Sequence, residues 1–188
     1  MTYSFFAMLG RMKHIRRWGL MHSSIEENLC EHTLETAYIA HALVMINNEQ
    51  GGSLSAEKAV CYALYHDCSE IITGDLPTPV KYGNEDIRNA YKALEEQANS
   101  RLLSRLPDYM SEKMSPWFEI DKEYETIIKA ADKLSALIKC IGERNMGNRE
   151  FDTAYESTLN AIHALNLPEA EIFIEQFLPP YGQNLDLL

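Results

Sequence analysis

The chain contains 188 residues, of which 46% are hydrophobic and 24% are charged. This composition is ordinary for a folded globular protein and excludes an intrinsically disordered chain. The length predicts a single domain, spanning residues 1–188. The net charge of −11 disfavours a nucleic-acid polymer as ligand, because binding to such polymers depends on clustered protein cations. A small phosphate ester is compatible with this net charge, because one or two local cations and a metal ion are enough to bind it.

The sequence contains no segment typical of a membrane anchor. No apolar run approaches the roughly 20 residues that a membrane-spanning helix needs. The apolar patch at Phe5 and Phe6 is interrupted by Arg11 and Lys13, unlike the apolar region of a signal peptide. None of the four cysteines form a C-x-x-C pair, which favours free thiols in a reducing compartment. We therefore expect a cytoplasmic protein without membrane contact.

Apolar residues recur at helical spacing along most of the chain. The first such segment, from Phe5 to Ile15, predicts an N-terminal helix. A second helix should begin at Asn28, because Asn28 and Glu31 have the spacing of a capping box. Its predicted buried stripe contains His32, Thr36, Ile39, Leu43 and Ile46.

The rest of the chain also has a helical pattern. A third helix is predicted from about Ser55 to Gly74. The loop that follows, residues 75–79, should be extended, because Pro77 and Pro79 disfavour helical backbone at and before their positions. Helical spacing returns in four later segments, at about residues 87–106, 124–144, 152–166 and 168–177. The alternation typical of strands is not convincing anywhere, so we predict an all-α fold.

Three titratable residues lie close together on the predicted third helix: His66, Asp67 and Glu70. Glu70 is four residues from His66 and three from Asp67, so on a helix it lies near both. Burying these groups on an otherwise apolar face would cost free energy, and a bound cation removes that cost.

His32 on the second helix and Asp132 on a late helix can complete a metal site. Two histidines and two aspartates from three helices can converge on one ion inside a bundle. Nitrogen and oxygen ligands without thiolate suit Mn, Co, Ni, Fe or Zn. Taken alone, His32 could be a hydrogen-bonded core histidine and Asp132 a solvated helix charge. The ordered set of four residues is what predicts the metal site.

This ordered set, His32, His66-Asp67 and Asp132, resembles the metal-binding signature of the HD-domain phosphohydrolase superfamily. Further segments are similar to the bacterial HD-domain 5′-deoxynucleotidases. These segments are Arg17-Trp18, Glu31-His32, Tyr65 to Glu70 and Thr73 to Tyr82. The motif-bearing core spans about residues 5–140, and the C-terminal helices at about 150–178 carry no matching motif. Cys30 and Cys68 depart from the family pattern, which has small residues there, but neither is a predicted ligand.

The resemblance implies an HD-domain helical bundle with 5′-deoxynucleotidase activity. Such an enzyme removes the 5′-phosphate from deoxyribonucleoside 5′-monophosphates by in-line attack of metal-activated water. The divalent cation, Co²⁺, Mn²⁺ or a similar first-row metal, would be bound by His32, His66, Asp67 and Asp132. Glu70 would be the catalytic acid or base. Arg17 would orient the phosphate and stabilise its charge during catalysis.

The resemblance also implies the substrate contacts. Trp18 would pack against the sugar and fill the space of a 2′-hydroxyl, which would explain a preference for deoxyribose. Asp75 would accept a hydrogen bond from the sugar 3′-hydroxyl. The predicted substrate-binding residues are Arg17, Trp18, Asp67, Asp75, Leu76, Pro77, Thr78 and Asp132.

A twofold homodimer is expected, formed by an apolar surface of the late helices. Two alternative functions stay open. The first is a phosphohydrolase of the same superfamily that acts on a cyclic nucleotide, a triphosphate or an alarmone. The Arg17-Trp18 pair and the loop at 75–78 argue against it. The second is a nucleotide-binding regulator without turnover, and the complete set of ligand and acid/base residues argues against that.

Overall fold

The computed structural model describes residues 2–81 and 83–187, which form ten α-helices. The helices are α1 Phe5–Leu9, α2 Leu29–Glu49, α3 Ala56–Tyr65, α4 Glu70–Thr73, α5 Thr78–Lys81, α6 Glu85–Leu103, α7 Asp108–Met114, α8 Glu125–Asn145, α9 Asp152–His163 and α10 Pro168–Gln176. Short 3-10 turns are Met12–His14, Ser115–Phe118, Arg149–Phe151, Pro179–Gly182 and Leu185–Leu187. Within these ranges the only extended pairing is an isolated antiparallel bridge between Arg16 and Asn28. The predicted all-α fold is confirmed.

Helix α2 begins as its sequence predicts. The Asn28 side chain accepts hydrogen bonds from the backbone N–H groups of Cys30 and Glu31, and the Glu31 side chain accepts from the Asn28 N–H. These bonds satisfy backbone donors that every helix start leaves without an intrahelical partner. Of the predicted stripe, the residues from His32 to Leu43 are buried, which places His32 inside the molecule.

The main core lies between α2, α3 and α8, with α9 and α10 packed against it. Small residues such as Ala63, Ala130 and Ala131 are fully buried there and allow the helices to approach closely. A second cluster joins α1 and α6 to the start of α2 and contains Phe5, Leu29 and Leu102. Because α2 and α8 pack together, residues on their facing sides can form one site. None of the described helices combines the length and the hydropathy that a membrane span requires.

Two predicted helices are interrupted. The first ends at Leu9, and the chain turns through Gly10, a poor helix former, into a 3-10 turn. The third does not run to Gly74, because α3 ends at Tyr65 and α4 begins only at Glu70. Between them the backbone makes tighter three-residue hydrogen bonds, such as Cys68 N–H to the Tyr65 carbonyl. His66 and Asp67 therefore lie in a turn and not on a continuous helix.

Two further predictions are corrected by the structure. The proline-containing loop is non-helical only through Pro77, because α5 already begins at Thr78. A proline in the first turn is compatible with a helix, since the N–H it lacks has no partner there. In α6, the spacing of Ile87, Tyr91 and Leu94 predicts one apolar face, but of these three only Tyr91 is buried.

The segment that leads into α2 is attached to the core by Glu143, a fully buried carboxylate on α8. Glu143 accepts hydrogen bonds from two backbone N–H groups and two side chains. The donors are the N–H groups of Ser24 (2.7 Å) and Ile25 (3.0 Å), Asn148 Nδ2 (2.8 Å) and Lys139 Nζ. Burial would raise the pKa of Glu143, but these donors outweigh burial and lower it to about 2. The carboxylate is thus charged in the folded protein at neutral pH.

Replacing Glu143 with glutamine should lower the free energy of unfolding by about 2–4 kcal/mol. The amide removes the charge that pairs with Lys139 and places another N–H group among hydrogen-bond donors. Glu26→Gln is the matched control, because the Glu26–Arg16 pair is exposed and such pairs contribute only about 0–1 kcal/mol. Chemical denaturation at pH 7 measures both variants, and equal losses would contradict the anchoring role of Glu143.

The same measurement across pH checks the charge of Glu143. Its pKa in the folded protein lies below the ordinary value of 4.5, so folding favours the ionised form. The stabilisation is therefore complete above about pH 4.5 and is lost progressively as the pH falls toward 2. The difference in stability between wild type and Glu143→Gln should shrink over this interval.

Candidate active site

The four predicted metal ligands converge at one place. Each of them offers one nitrogen or oxygen atom, and these atoms lie within 4.8 Å of one another. His32 Nε2 is 3.2 Å from Asp132 Oδ1 and 3.6 Å from Asp67 Oδ2, and His66 Nε2 is 3.0 Å from that same Asp67 oxygen. His32 comes from α2, His66 and Asp67 from the turn after α3, and Asp132 from α8. The helix packing thus joins residues that are up to 100 positions apart.

The hydrogen bonds of His66 fit a metal ligand. Nδ1 lies 2.7 Å from the Ala63 carbonyl oxygen, which can only accept, so Nδ1 carries the proton. In the neutral ring Nε2 then has a free lone pair, and this buried atom makes no hydrogen bond within the described part of the chain. Its nearest neighbour is a carboxylate oxygen of Asp67, which is also an acceptor. Two acceptors facing each other at 3.0 Å require a cation or a shared proton between them.

His32 is oriented in a similar way. Its Nδ1 lies 3.0 Å from Ser135 Oγ, and the Ser135 hydroxyl donates to Glu35 Oε2 at 2.7 Å. Since the serine proton goes to Glu35, Ser135 accepts from His32 Nδ1, and Nε2 faces the cluster as an acceptor. Hydrogen bonds of this kind from the second ring nitrogen fix the orientation of metal-binding histidines.

The electrostatics of the cluster also favour a divalent cation. Burial would lower the pKa of His66, but Asp67 outweighs burial and raises it to about 9. Burial would raise the pKa of Asp67, but His66, His32 and Arg17 together hold it well below its ordinary value. Both shifts show an aspartate charge that neighbouring positive charges stabilise in a poorly solvated position, a role that a divalent cation can take over from the protons. Two imidazoles and two carboxylates are a donor set that first-row divalent metals accept.

Arg17 lies beside the cluster. Its Nη1 is 3.7 Å from Asp67 Oδ2, and its Nε donates to Glu27 Oε2 at 3.3 Å. Burial would lower the pKa of Arg17, but the carboxylates of Asp132 and Asp67 outweigh burial and raise it. A guanidinium held close to the metal position can bind phosphate oxygens through its remaining N–H groups.

Trp18 follows Arg17 in an uncommon backbone conformation, with φ of 59°. Positive φ is disfavoured for side chains as large as tryptophan and persists only where the surroundings hold it. The indole N–H donates to Glu27 Oε2 at 2.8 Å, and the ring packs against Phe151 with centroids 5.3 Å apart. Trp18 thus has a defined orientation next to the phosphate-binding candidate.

Glu70, the predicted acid or base, is buried at the start of α4. Burial raises its pKa to about 9, with further contributions from the charges of Asp67 and Asp75. Lys81 Nζ is 3.9 Å from Glu70 Oε1 and 2.9 Å from Glu95 Oε1, so its charge is shared. Glu70 therefore holds a proton at neutral pH in the metal-free protein.

The predicted substrate loop lies between α4 and α5. Gly74 ends α4 with φ of 76°, a conformation that glycine adopts readily, and so turns the chain into the loop. Burial raises the pKa of Asp75, an effect that the positive charge of Arg17 opposes. Leu76 and Pro77 are half-buried in the loop. The predicted contact of the Thr78 side chain lies outside the described residues.

A cavity of about 620 Å³ adjoins this centre. Arg17, Trp18 and Glu27 line it together with residues 21–24 and 146–148. None of the four predicted metal ligands belongs to its described lining. The cavity therefore reaches the phosphate-binding and sugar-binding candidates from the side of the α8 C-terminus.

The family described as 5′-deoxynucleotidase YfbR-like matches residues 4–181 of this sequence. The chain belongs to this family. It is 43% identical to the 5′-deoxynucleotidase VP0926 of Vibrio parahaemolyticus, over 97% of this chain and 96% of that protein. It is 42% identical to the 5′-deoxynucleotidase YfbR of Salmonella typhi, over 97% of this chain and 94% of that protein. The predicted family and enzyme class are confirmed.

Two solved structures share the fold. An HD-domain phosphohydrolase from Listeria innocua superimposes with a TM-score of 0.83 at 24% identity, covering 95% of this chain and 88% of that one. The cyanophage S-2L HD phosphohydrolase DatZ, bound to dA and one catalytic Zn²⁺ ion, superimposes with a TM-score of 0.67 at 16% identity, covering 95% and 98%. At these identities the likeness shows the HD-domain fold alone.

Three polar residues at the site were missed in the sequence: Glu27, Glu35 and Ser135. Glu35 and Ser135 each follow a predicted ligand by three residues, so they lie one helical turn from His32 and Asp132. This three-residue spacing is the sequence feature that could have identified Glu35 and Ser135 as neighbours of the ligands. Glu27 had no comparable signal, because its contacts to Arg17 and Trp18 arise where the chain doubles back ten residues later.

Proposed function

We propose that this chain hydrolyses deoxyribonucleoside 5′-monophosphates to deoxyribonucleosides and inorganic phosphate. The observation that carries the proposal is the placement of Arg17 beside a two-histidine, two-aspartate cluster, with Trp18 held next to Arg17 by their shared partner Glu27. The cluster fits a divalent cation, the guanidinium fits the phosphate, and the adjacent indole fits a sugar without a 2′-hydroxyl. The names of the relatives and the deoxyadenosine bound to DatZ agree with this substrate class.

We propose His32, His66, Asp67 and Asp132 as the residues that hold the metal, with Mn²⁺ or Co²⁺ as suitable ions. A divalent cation held there supplies positive charge for the phosphoryl oxygens and lowers the pKa of the attacking water. Arg17 binds and orients the phosphate and stabilises the charge that develops in the transition state. Asp75 and the backbone of the 74–77 loop bind the sugar, and Trp18 packs on its 2′ side.

Glu70 acts as the general acid in this proposal. Its raised pKa keeps a proton on a buried carboxyl group at neutral pH. As water attacks phosphorus, the bond between phosphorus and the 5′-oxygen breaks, and Glu70 donates its proton to that oxygen. The products are the deoxyribonucleoside with a free 5′-hydroxyl and inorganic phosphate.

The test is phosphate release from a matched pair of deoxyribonucleoside and ribonucleoside monophosphates. The protein is first treated with a chelator and then reconstituted with Mn²⁺ or Co²⁺. We expect metal-dependent release from the deoxy substrate and little release from the ribo substrate. Equal rates on both sugars would overturn the substrate assignment, and release without any divalent metal would overturn the role of the cluster.

We further propose that residues 1–188 form one HD-type domain that acts in the cytoplasm as a homodimer. Phe177 and Tyr181 are exposed after α10, in the C-terminal region where the interface is expected, and Leu34, Tyr38 and Met45 are exposed along α2. Large apolar groups on one surface are typical of subunit interfaces. Light scattering on the purified protein measures the mass of the particle, and cell fractionation measures the location. A monomeric mass would contradict the dimer.

A further inference from the structure

Glu27 contacts two of the residues that the proposed function assigns to the substrate: Arg17, which binds the phosphate, and Trp18, which packs against the sugar. One of its oxygens, Oε2, accepts from Trp18 Nε1 at 2.8 Å and from Arg17 Nε at 3.3 Å. The side chains of Arg17 and Glu27 are each only 12% exposed, so this ion pair is poorly screened by solvent. A single carboxylate oxygen therefore fixes the guanidinium and the indole relative to each other.

The backbone brings Glu27 to this position independently of its side chain. The Arg17 N–H donates to the Glu27 carbonyl at 3.0 Å, and Arg16 pairs with Asn28 in the antiparallel bridge. Removing the carboxylate would therefore leave the chain pairing in place. It would remove the hydrogen bond to the Trp18 indole and leave the ring held by its packing against Phe151.

The geometry at Arg17 explains why its orientation matters. Nε is used by Glu27 and Nη1 faces Asp67, so the N–H groups of Nη2 are the ones that we expect to donate to a ligand phosphate. A planar guanidinium binds phosphate well only in a defined orientation. Any rotation of Arg17 would also change the distance between the phosphate position and the Trp18 ring.

We propose that Glu27 is a positioning residue that sets the selectivity for deoxyribose by holding Trp18 and Arg17 in one fixed arrangement. The inference rests on the proposed function, because selectivity is defined only for an enzyme that acts on these nucleotides. Glu27 itself takes no part in the bond-breaking step. Its removal should therefore change the preference for deoxyribose over ribose more than it changes the rate of the bond-breaking step.

The experiment compares Glu27→Ala and Glu27→Gln with the control Glu26→Ala in the metal-loaded enzyme. Glu26 lines the same cavity, but its side chain is 69% exposed and pairs with the exposed Arg16, not with Arg17 or Trp18, so the control removes a cavity carboxylate without disturbing either residue. For each variant kcat and KM are measured on the matched deoxy and ribo monophosphates. We expect Glu27→Ala to raise KM for the deoxy substrate and to lower the deoxy-to-ribo ratio of kcat/KM about 10-fold or more.

Glu27→Gln should retain most of the ratio, because its amide oxygen can still accept from the indole N–H. The control Glu26→Ala should match the wild type. An unchanged ratio in Glu27→Ala overturns the proposal, and so does an equal loss on both sugars, which would indicate a merely structural role. If Glu27→Ala does not fold, Glu27→Asp replaces it in the test. The shorter side chain withdraws the carboxylate by one methylene, so the deoxy-to-ribo ratio of kcat/KM should fall, and an unchanged ratio would overturn the proposal.

A spectroscopic measurement separates this proposal from the proposed function. The chain has two tryptophans, so Trp117→Phe leaves Trp18 as the fluorophore. Adding Glu27→Ala to that background should shift the Trp18 emission, because the indole loses its hydrogen bond to a buried carboxylate. Unshifted emission overturns the positioning role even if the enzyme acts on another substrate. A wild-type enzyme that does not prefer deoxyribose would instead overturn the substrate assignment.

Discussion

Glu70→Gln is expected to lower kcat for phosphate release from a deoxyribonucleoside monophosphate by about 10²–10⁴-fold. Glutamine keeps the size and the hydrogen-bonding shape of the side chain but has no acidic proton to give to the departing 5′-oxygen. Because Glu70 is outside the ligand cluster, the metal affinity of the variant should stay within a few-fold of wild type. Steady-state assays and metal titration by calorimetry measure the two quantities.

Glu95→Gln is the matched control for this prediction. Glu95 pairs with Lys81 at 2.9 Å, the same lysine that lies 3.9 Å from Glu70, so both variants remove a carboxylate from that cation. If the loss in Glu70→Gln came only from disturbing Lys81, the control would lose activity as well. Glu70→Gln with more than about a tenth of wild-type kcat would rule out Glu70 as a general acid.

Asp67→Asn is expected to weaken metal binding by more than about 100-fold, since even residues that merely orient ligands change metal affinity 10–100-fold. Asp67 Oδ2 is the atom that approaches His66, His32 and Arg17, so its charge links the ligand cluster to the arginine that we propose for phosphate binding. Asparagine retains one oxygen but lacks the charge that a divalent cation requires here. Calorimetry or the absorption spectrum of bound Co²⁺ measures the loss.

Asp75→Asn distinguishes a metal ligand from a carboxylate that is merely near. Asp75 is half-buried and electrostatically coupled to the same cluster, but it does not belong to the four converging ligands. Its variant should bind metal like the wild type while KM for the nucleotide rises. In thermal unfolding, added metal should raise Tm for wild type and Asp75→Asn but not for Asp67→Asn. Wild-type metal affinity in Asp67→Asn would show that Asp67 is not a ligand.

Local patterns in the sequence predicted the features that depend on neighbouring residues. The capping box of Asn28 and Glu31 and the buried stripe through His32 both follow from spacing within one helix. The break after Tyr65 did not, because the segment from Tyr65 to Glu70 has no glycine or proline to mark the tighter turn that the backbone makes there. Helical periodicity likewise could not show that Ile87 is exposed, since that depends on which face of α6 the other helices cover.

In the site, too, local patterns were predictable from the sequence and long-range contacts were not. The four ligands were predicted from an ordered set of metal-binding residue types and from the resemblance to a family. The long-range contacts around the site were not, because Ser135 with His32 at the ligand cluster, and Glu143 with Ser24 at the segment before α2, join positions more than 100 residues apart. Such contacts are defined only once α8 packs against the N-terminal part of the chain.

Helix α8 carries Asp132 near its middle and Glu143 close to its end, eleven residues later. That separation is about three full turns, so both carboxylates lie on nearly the same side of the helix. Asp132 belongs to the proposed metal site, and Glu143 holds the backbone of Ser24 and Ile25, between Trp18 and α2. Inserting a single residue between them would rotate Glu143 by about 100° relative to Asp132 and move it about 1.5 Å along the axis. The length of this stretch is therefore more tightly constrained than the identity of its intervening side chains.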